Sequence, residues 1–181
     1  MSADEFEVIR TLFAPLASGE SARGLVDDAA VLTARGDLVV TTDAIVEGVH
    51  FRREDPIETV ASKALRVNVS DLIGKGAKPT AALLTLVWPQ DRAAGDIAQF
   101  AAGLKRDLQH FGMALLGGDT ASTPGPLTVS ITPFGEPLGE RTPERADPQP
   151  GERTRSDGHR HQLHVVGLPA RVAQHFSHAW G

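Results

Sequence analysis

The stretch Thr41-Thr42-Asp43-Ala44-Ile45-Val46-Glu47-Gly48-Val49-His50-Phe51 sets two hydroxyls and an acid directly after a short predicted strand, Leu38–Thr42. Upstream, Ala29–Thr33 reads as a second short strand, joined to the first by the turn Ala34-Arg35-Gly36-Asp37. Before both, Phe6, Ile9, Leu12, Phe13 and Leu16 recur at spacings of three and four, which predicts an amphipathic helix over residues 4–17. Downstream, Pro56 opens a helix, as proline does at a first helical position, and the helix should run to about Gly74–Gly76. Its buried face would be Val60, Ala64, Leu65, Val67 and Leu72. Thr80–Trp88 is an apolar β-capable run closed by Pro89. Residues 91–111 carry a helical stripe of Ile97, Phe100, Ala101, Leu104 and Leu108, with Gly112 placed as the cap. Met113–Leu116 and the alternating Leu127–Phe134 complete the predicted strands. Strands and helices alternate, and a chain segment of about 150 residues can bury a sizeable core.

The side chains with chemistry to offer are carboxylates at element ends rather than a histidine or serine constellation. Val26-Asp27-Asp28 sets two acids just before a strand, and Thr41-Thr42-Asp43 follows one. Asp71 lies late in a helix otherwise given over to apolar residues, and Asp119 follows Gly117-Gly118 at the end of a short strand. Gathered at one end of a sheet, where open α/β sheets bind ligands, such acids would suit Mg²⁺. That ion takes oxygen donors and keeps waters and substrate phosphates in its shell. Asp and Thr at strand ends also satisfy turns and caps. The spacing fits no P-loop, Rossmann turn or protein-kinase pattern. Residue types alone therefore point only to an acidic site suited to Mg²⁺ and phosphate.

Composition narrows the class. The 181 residues are 41% hydrophobic and 23% charged, ordinary for a packed globular chain. A net charge of −5 argues against binding nucleic acid through bulk charge. The absence of cysteine excludes both a disulfide framework and a cysteine zinc site. No apolar run has the length of a membrane span, and the acidic start MSADEFEVIR lacks the layout of a signal peptide. The expectation is a cytoplasmic protein with no membrane and no nucleic-acid partner. Residues 1–150 hold 21 acidic against 14 basic residues, whereas residues 151–181 hold 2 against 4 and five of the seven histidines.

The segment from Thr41 to Phe51 resembles the signature of thiamine-monophosphate kinases. The order continues through Asp55-Pro56, Lys63-Ala64-Leu65-Arg66-Val67-Asn68-Val69-Ser70-Asp71-Leu72 and Gly76-Ala77-Lys78-Pro79. Leu115-Leu116-Gly117-Gly118-Asp119-Thr120 follows, then the basic pair Arg141 and Arg145. The resemblance covers roughly residues 3–151. It implies an α+β fold, the N-terminal domain of the aminoimidazole-ribotide-synthetase-like superfamily. Such a domain has a mixed sheet with flanking helices that forms half of a dimeric β-barrel. The activity implied is ATP-dependent phosphorylation of thiamine monophosphate to thiamine diphosphate by direct in-line transfer assisted by several Mg²⁺ ions, with ATP as co-substrate and a homodimer as the assembly. No side-chain nucleophile is needed, because catalysis is then positioning and charge neutralisation. By the same resemblance Asp27, Thr41, Thr42, Asp43, Asp71 and Asp119 match metal positions. Gly118, Asp119 and Arg145 match nucleotide contacts, Phe111 stands where the family's tyrosine faces adenine, and His50 matches a contact to the thiamine phosphate.

Three departures accompany the match. Val26 replaces the glycine usual before the double acid, Phe111 keeps the ring but not the hydroxyl, and nothing after about Gly151 fits. The expected organisation is residues 1–150 as an N-terminal ATP- and Mg²⁺-binding kinase domain. Residues 151–181 then form a non-matching, poorly ordered tail that follows a reading-frame change near residue 151. A chain so truncated would lack kinase activity. Two other readings stay open: a non-catalytic remnant that dimerises or binds Mg²⁺-nucleotide, and another ATP-dependent synthetase of the same superfamily. The histidines at 159, 161, 164, 175 and 178 have no supporting acid pattern for zinc.

Overall fold

A computed structural model describes residues 7–17, 20–25, 29–93, 95–139 and 142–143. The expected tail, 151–181, lies outside the described residues. The described chain is a five-stranded mixed sheet with two long helices on one face, an α+β arrangement. The strands are β1 (Val39–Val40), β2 (Asp43–Val46), β3 (Ala77–Pro89), β4 (Ala114–Thr123) and β5 (Thr128–Pro137). The helices are α1 (Ile57–Gly74) and α2 (Asp96–Phe111). The sheet order is β1-β5-β3-β4, and β2 also pairs with β5. β3 and β4 run parallel with α2 as the crossover; the other pairs are antiparallel.

β1 and β2 share one register along the same edge of β5, with Val40 opposite Phe134 and Asp43 opposite Ile131. Thr41 and Thr42 therefore fall opposite Pro133 and Thr132, and the ladder breaks there because Pro133 has no N–H to give. Side chains mend the gap. The Thr132 hydroxyl donates to Thr42 Oγ1 at 2.9 Å, and Thr42 Oγ1 reaches the Ile131 carbonyl at 3.3 Å.

Alternation along β2 and β5 puts Thr41, Asp43 and Ile45 on the side of Pro133, Ile131 and Val129, the side the helices cover. Leu84 and Leu86 of β3 join that face, against Val60, Leu65 and Val69 of α1 and Phe100 and Leu104 of α2. Trp88 meets Phe100 edge-on at 6.1 Å between ring centres. The helices touch closely at Gly103, where a β-carbon would collide with the backbone carbonyl of Glu58. Arg66 clamps α1 to buried Asp107 of α2 by two hydrogen bonds, Nε to Oδ2 at 2.7 Å and Nη2 to Oδ1 at 3.0 Å. Hydrogen bonding to Asp107 raises the Arg66 pKa.

The opposite face is covered only in part. A small cluster of Ala22, Ala81 and Leu116, with Leu25, Leu32 and Phe134 around it, lies under a 3₁₀ segment, Glu20–Leu25. Among the described residues the sheet stays open and does not close into a barrel.

Several predicted elements shift. Residues 29–33 form no strand, although Ala30 and Leu32 pack against the small cluster. The first helix is irregular, with a π-turn at Ile9–Phe13 and a 3₁₀ turn at Ala14–Leu16 that takes up Pro15. The second helix begins at Asp96, and Gly112 caps it in the left-handed region as expected. β4 runs on through Asp119 to Thr123, so that acid sits inside a strand rather than after one. Two glycines do not stop the strand because they let it approach β3: a β-carbon on Gly118 would collide with the Leu84 carbonyl oxygen.

Candidate functional site

The break between β1 and β2 builds the first half of the site. The chain runs on through Thr41-Thr42 in the same direction and register, and sets the start of β2 over the C-terminal half of α1. Asn68, 1% exposed, faces this junction. Its Oδ1 accepts the Asp43 backbone N–H at 2.9 Å, and its Nδ2 donates to the Ala64 carbonyl at 2.9 Å. Ser130 Oγ donates to the Asp43 carbonyl at 3.4 Å. About one helical turn beyond Asn68, Asp71 Oδ2 accepts a long hydrogen bond from Thr41 Oγ1 at 3.4 Å. The Asp43 and Asp71 residues are exposed. Asp43, Thr41 and Asp71 thus stand at one solvent-facing corner between strand edge and helix, joined through Asn68 and the Thr41–Asp71 hydrogen bond.

The second part is the turn leaving β2. The Val46 carbonyl accepts the N–H groups of Val49 and His50, and Gly48 N–H donates to the Phe51 carbonyl at 2.8 Å. Gly48 takes a left-handed conformation, φ +81°, at the point where the chain doubles back. His50 Nδ1 accepts the Val46 N–H at 3.0 Å, so the proton of the neutral ring sits on Nε2, the nitrogen left free of that bond. Lys63 of α1 donates to the His50 carbonyl. Glu47 points the other way, into a cage of cations. Its Oε2 accepts from Arg92 Nη2 at 2.6 Å, and its Oε1 from Arg53 Nη1 at 3.4 Å. Arg53 also pairs with Asp91 at 2.9 Å, and that hydrogen bond raises its pKa.

Of the expected metal positions, Thr41, Asp43 and Asp71 come together, and Thr42 lies at the same break with its hydroxyl tied to β5. Asp27 and Arg145 lie outside the described residues, as does Arg141. Asp119 is held elsewhere. It stands in one row with Thr85, Ser130 and Ala44, so its backbone is three strand spacings from β2, about 14 Å. Alternation also turns it toward the uncovered face, away from Asp43. Phe111, at the end of α2, is half-buried against the core and meets His110 edge-on at 4.8 Å. The sequence reading passed over Asn68 and Glu47 as functional groups. The available signals were an amide on the buried stripe of a helix and an acid beside apolar neighbours.

The donor set suits a hard cation. Among the described residues no three acids or histidines gather to enclose a metal, which leaves two carboxylates with hydroxyls. Mg²⁺ is commonly held by one or two carboxylates, with water and phosphate oxygens completing its shell, so the corner at Asp43 and Asp71 fits that ion. Among the described residues no helix is long and apolar enough to cross a membrane.

Residues 26–136 match the family model described as "AIR synthase related protein, N-terminal domain". A thiamine-monophosphate kinase of Caulobacter vibrioides is 46% identical over 158 residues, spanning 85% of this chain and 45% of that protein. The thiamine-monophosphate kinase of Escherichia coli is 34% identical over 177 residues, 96% of this chain and 51% of its own. The chain therefore spans about half the length of the curated relatives it matches. Among solved structures, the thiamine monophosphate kinase ThiL of Aquifex aeolicus superposes with a TM-score of 0.55 at 36% identity. That match covers 58% of this chain and 35% of ThiL, which has also been solved complexed with AMPPCP and TMP. A hydrogenase maturation protein HypE in complex with ATP gives a TM-score of 0.69 over 81% of this chain and 44% of its own, at 22% identity, which speaks to the fold alone. The chain belongs to the AIR synthase related family and carries its N-terminal domain.

Proposed function

We propose that this chain provides the ATP- and Mg²⁺-binding half of a thiamine-monophosphate kinase, transferring a phosphoryl group from ATP to thiamine monophosphate in line. The observation that carries this reading is the corner at Asp43 and Asp71, built from the stretch Thr41–Phe51 and held by Asn68. Similarity to the Caulobacter kinase, and to a ThiL solved with an ATP analogue and TMP, supports the substrates.

The chain's own groups divide the work. Asp43 and Asp71, with the Thr41 hydroxyl, are the residues that would hold Mg²⁺. That ion supplies charge neutralisation where two phosphates meet. His50 presents a ring N–H able to donate to a phosphate oxygen of the acceptor. Gly118 leaves the β4 backbone without a side chain beside Asp119, the region assigned to the nucleotide together with Arg145 and Phe111. Asp27 and Thr42 complete the proposed metal set, and Asp119, standing apart, would serve an ion on the nucleotide side. A second copy of the chain is the proposed partner for the open sheet face, and the cytoplasm the proposed compartment.

Thiamine diphosphate formation from ATP and thiamine monophosphate by the purified 181-residue chain tests the proposal. Turnover that depends on Mg²⁺ and on Asp43 supports it. Mg²⁺-ATP binding without turnover would select the non-catalytic nucleotide-binding reading, and no affinity for either substrate would reject both.

A further inference from the structure

We propose that Glu47 is a positioning residue that fixes the turn presenting His50. Its use for a phosphate-bearing substrate rests on the kinase reading above; the anchoring itself does not. Glu47 is held at both ends. Its backbone N–H donates to the Leu127 carbonyl at 2.9 Å, and its carboxylate, with the side chain only 10% exposed, bridges Arg53 and Arg92. Arg92 is 5% exposed and approaches Asp96 Oδ2 at 3.5 Å, while its Nη2 also reaches the Arg53 carbonyl at 3.4 Å. The charges packed around Glu47 are therefore Arg53, Arg92, Asp91 and Asp96, of which Arg53 is half-exposed and Arg92 buried.

Glu47 directly follows Val46, whose N–H orients the His50 ring and whose carbonyl accepts the His50 N–H. A carboxylate pinned to the segment before α2 therefore settles where Val46 lies. Val46 in turn settles the tautomer and direction of the imidazole. Arg92 Nε is buried with no hydrogen-bond partner among the described residues, so the guanidinium is held by its other nitrogens, with Glu47 its shortest contact. No surface pair has that character. The arrangement is a strut between the entry to α2 and the substrate-facing turn.

The test compares Glu47→Gln with Arg66→Ala, which cuts the remote helix-to-helix clamp and serves as the control for general loss of stability. In ¹⁵N-labelled full-length chain we expect Glu47→Gln to speed Val46 amide exchange about tenfold and to move the His50 ring nitrogens toward the averaged values of a free imidazole. The core amides of Leu65 and Val69 should hold their rates. Thiamine monophosphate should bind about tenfold more weakly, with Mg²⁺-ATP binding within about twofold of wild type. Unchanged Val46 and His50 signals in folded Glu47→Gln would overturn the proposal, as would the same changes in Arg66→Ala. A wild-type chain with no affinity for thiamine monophosphate that still shows the local response would reject the kinase reading and uphold the strut.

Discussion

The backbone N–H of Asp43 ends in the side chain of Asn68, 2.9 Å away and almost wholly buried. An edge strand is thereby joined to a helix by an amide that spends its other end on Ala64. Both bonds lie in a region with little water to replace them, so each lost partner leaves a polar group unsatisfied. Asn68→Ala should lower unfolding stability by about 1–3 kcal/mol, read from urea melts. It should also weaken Mg²⁺-dependent ATP binding, because Asp43 loses its fixed place beside Asp71.

Asp43→Asn separates charge from scaffold. The Asp43 residue is exposed, and its backbone rather than its carboxylate meets Asn68, so stability should change by less than about 0.5 kcal/mol. Any kinase turnover should be abolished, since one of two anionic donors at the corner is gone. Wild-type turnover and Mg²⁺-ATP affinity in this variant would make Asp43 a turn residue and remove the central assignment.

The two arginines on Glu47 should behave differently. Arg92 and Glu47 are both nearly buried, and removing Arg92 leaves the Glu47 carboxylate with only the longer contact to Arg53. Arg92→Ala is expected to cost about 3–5 kcal/mol. Arg53 is half-exposed, and its contact with Glu47 is 3.4 Å long, so after screening Arg53→Ala should destabilise far less than Arg92→Ala. Thermal or denaturant unfolding of the two variants side by side measures the contrast.

Gly118→Ala tests the close approach of β4 to β3. A β-carbon there runs into the Leu84 carbonyl, a backbone atom that cannot swing away. The parallel pair must part locally, and stability should fall by at least about 2 kcal/mol. Gly36→Ala, where nothing lies within reach of the added carbon, should be close to neutral.

Periodicity made much of the fold legible. The stripes of Val60, Ala64, Leu65 and Leu72 and of Ile97, Phe100, Leu104 and Leu108 gave both helices, because each buries one face. The alternation in Leu127–Phe134 gave β5, buried on one side only. β2 escaped notice because four residues are too few to show a period, and its partner strand rather than its own sequence holds it. Asp119 was misplaced for a local reason: two glycines read as a strand end, yet here they allow contact between strands. Within the site, the acids of Thr41-Thr42-Asp43 and Asp71 were visible as residue types. Their meeting depends on the missing N–H of Pro133 and on Asn68, residues far away in sequence that no spacing rule connects to Asp43.

Self-association is the last expectation, and the register says where to look for it. Val40, Thr42, Ala44, Thr85, Ser130 and Asp119 alternate onto the sheet face opposite α1 and α2, which the described residues cover only in part. Val40 is 51% exposed, and β4 pairs on one side only, so the face offers both apolar surface and an unpaired edge. Across a two-fold axis each residue of this face would meet the same region of the partner. Sedimentation at about 10 μM should show a dimer for the wild-type chain, within the range where a standard-sized interface holds. Ala44→Lys sets a charge on the exposed β2 side of that face, away from the core. It should shift the chain to monomer while the circular dichroism spectrum of the folded chain is kept. A monodisperse wild-type monomer, or a dimer indifferent to Ala44→Lys and Thr85→Lys alike, would remove the open face as the contact surface. The Asp43–Asp71 corner would be untouched by that result, because it is built on the other side of the sheet.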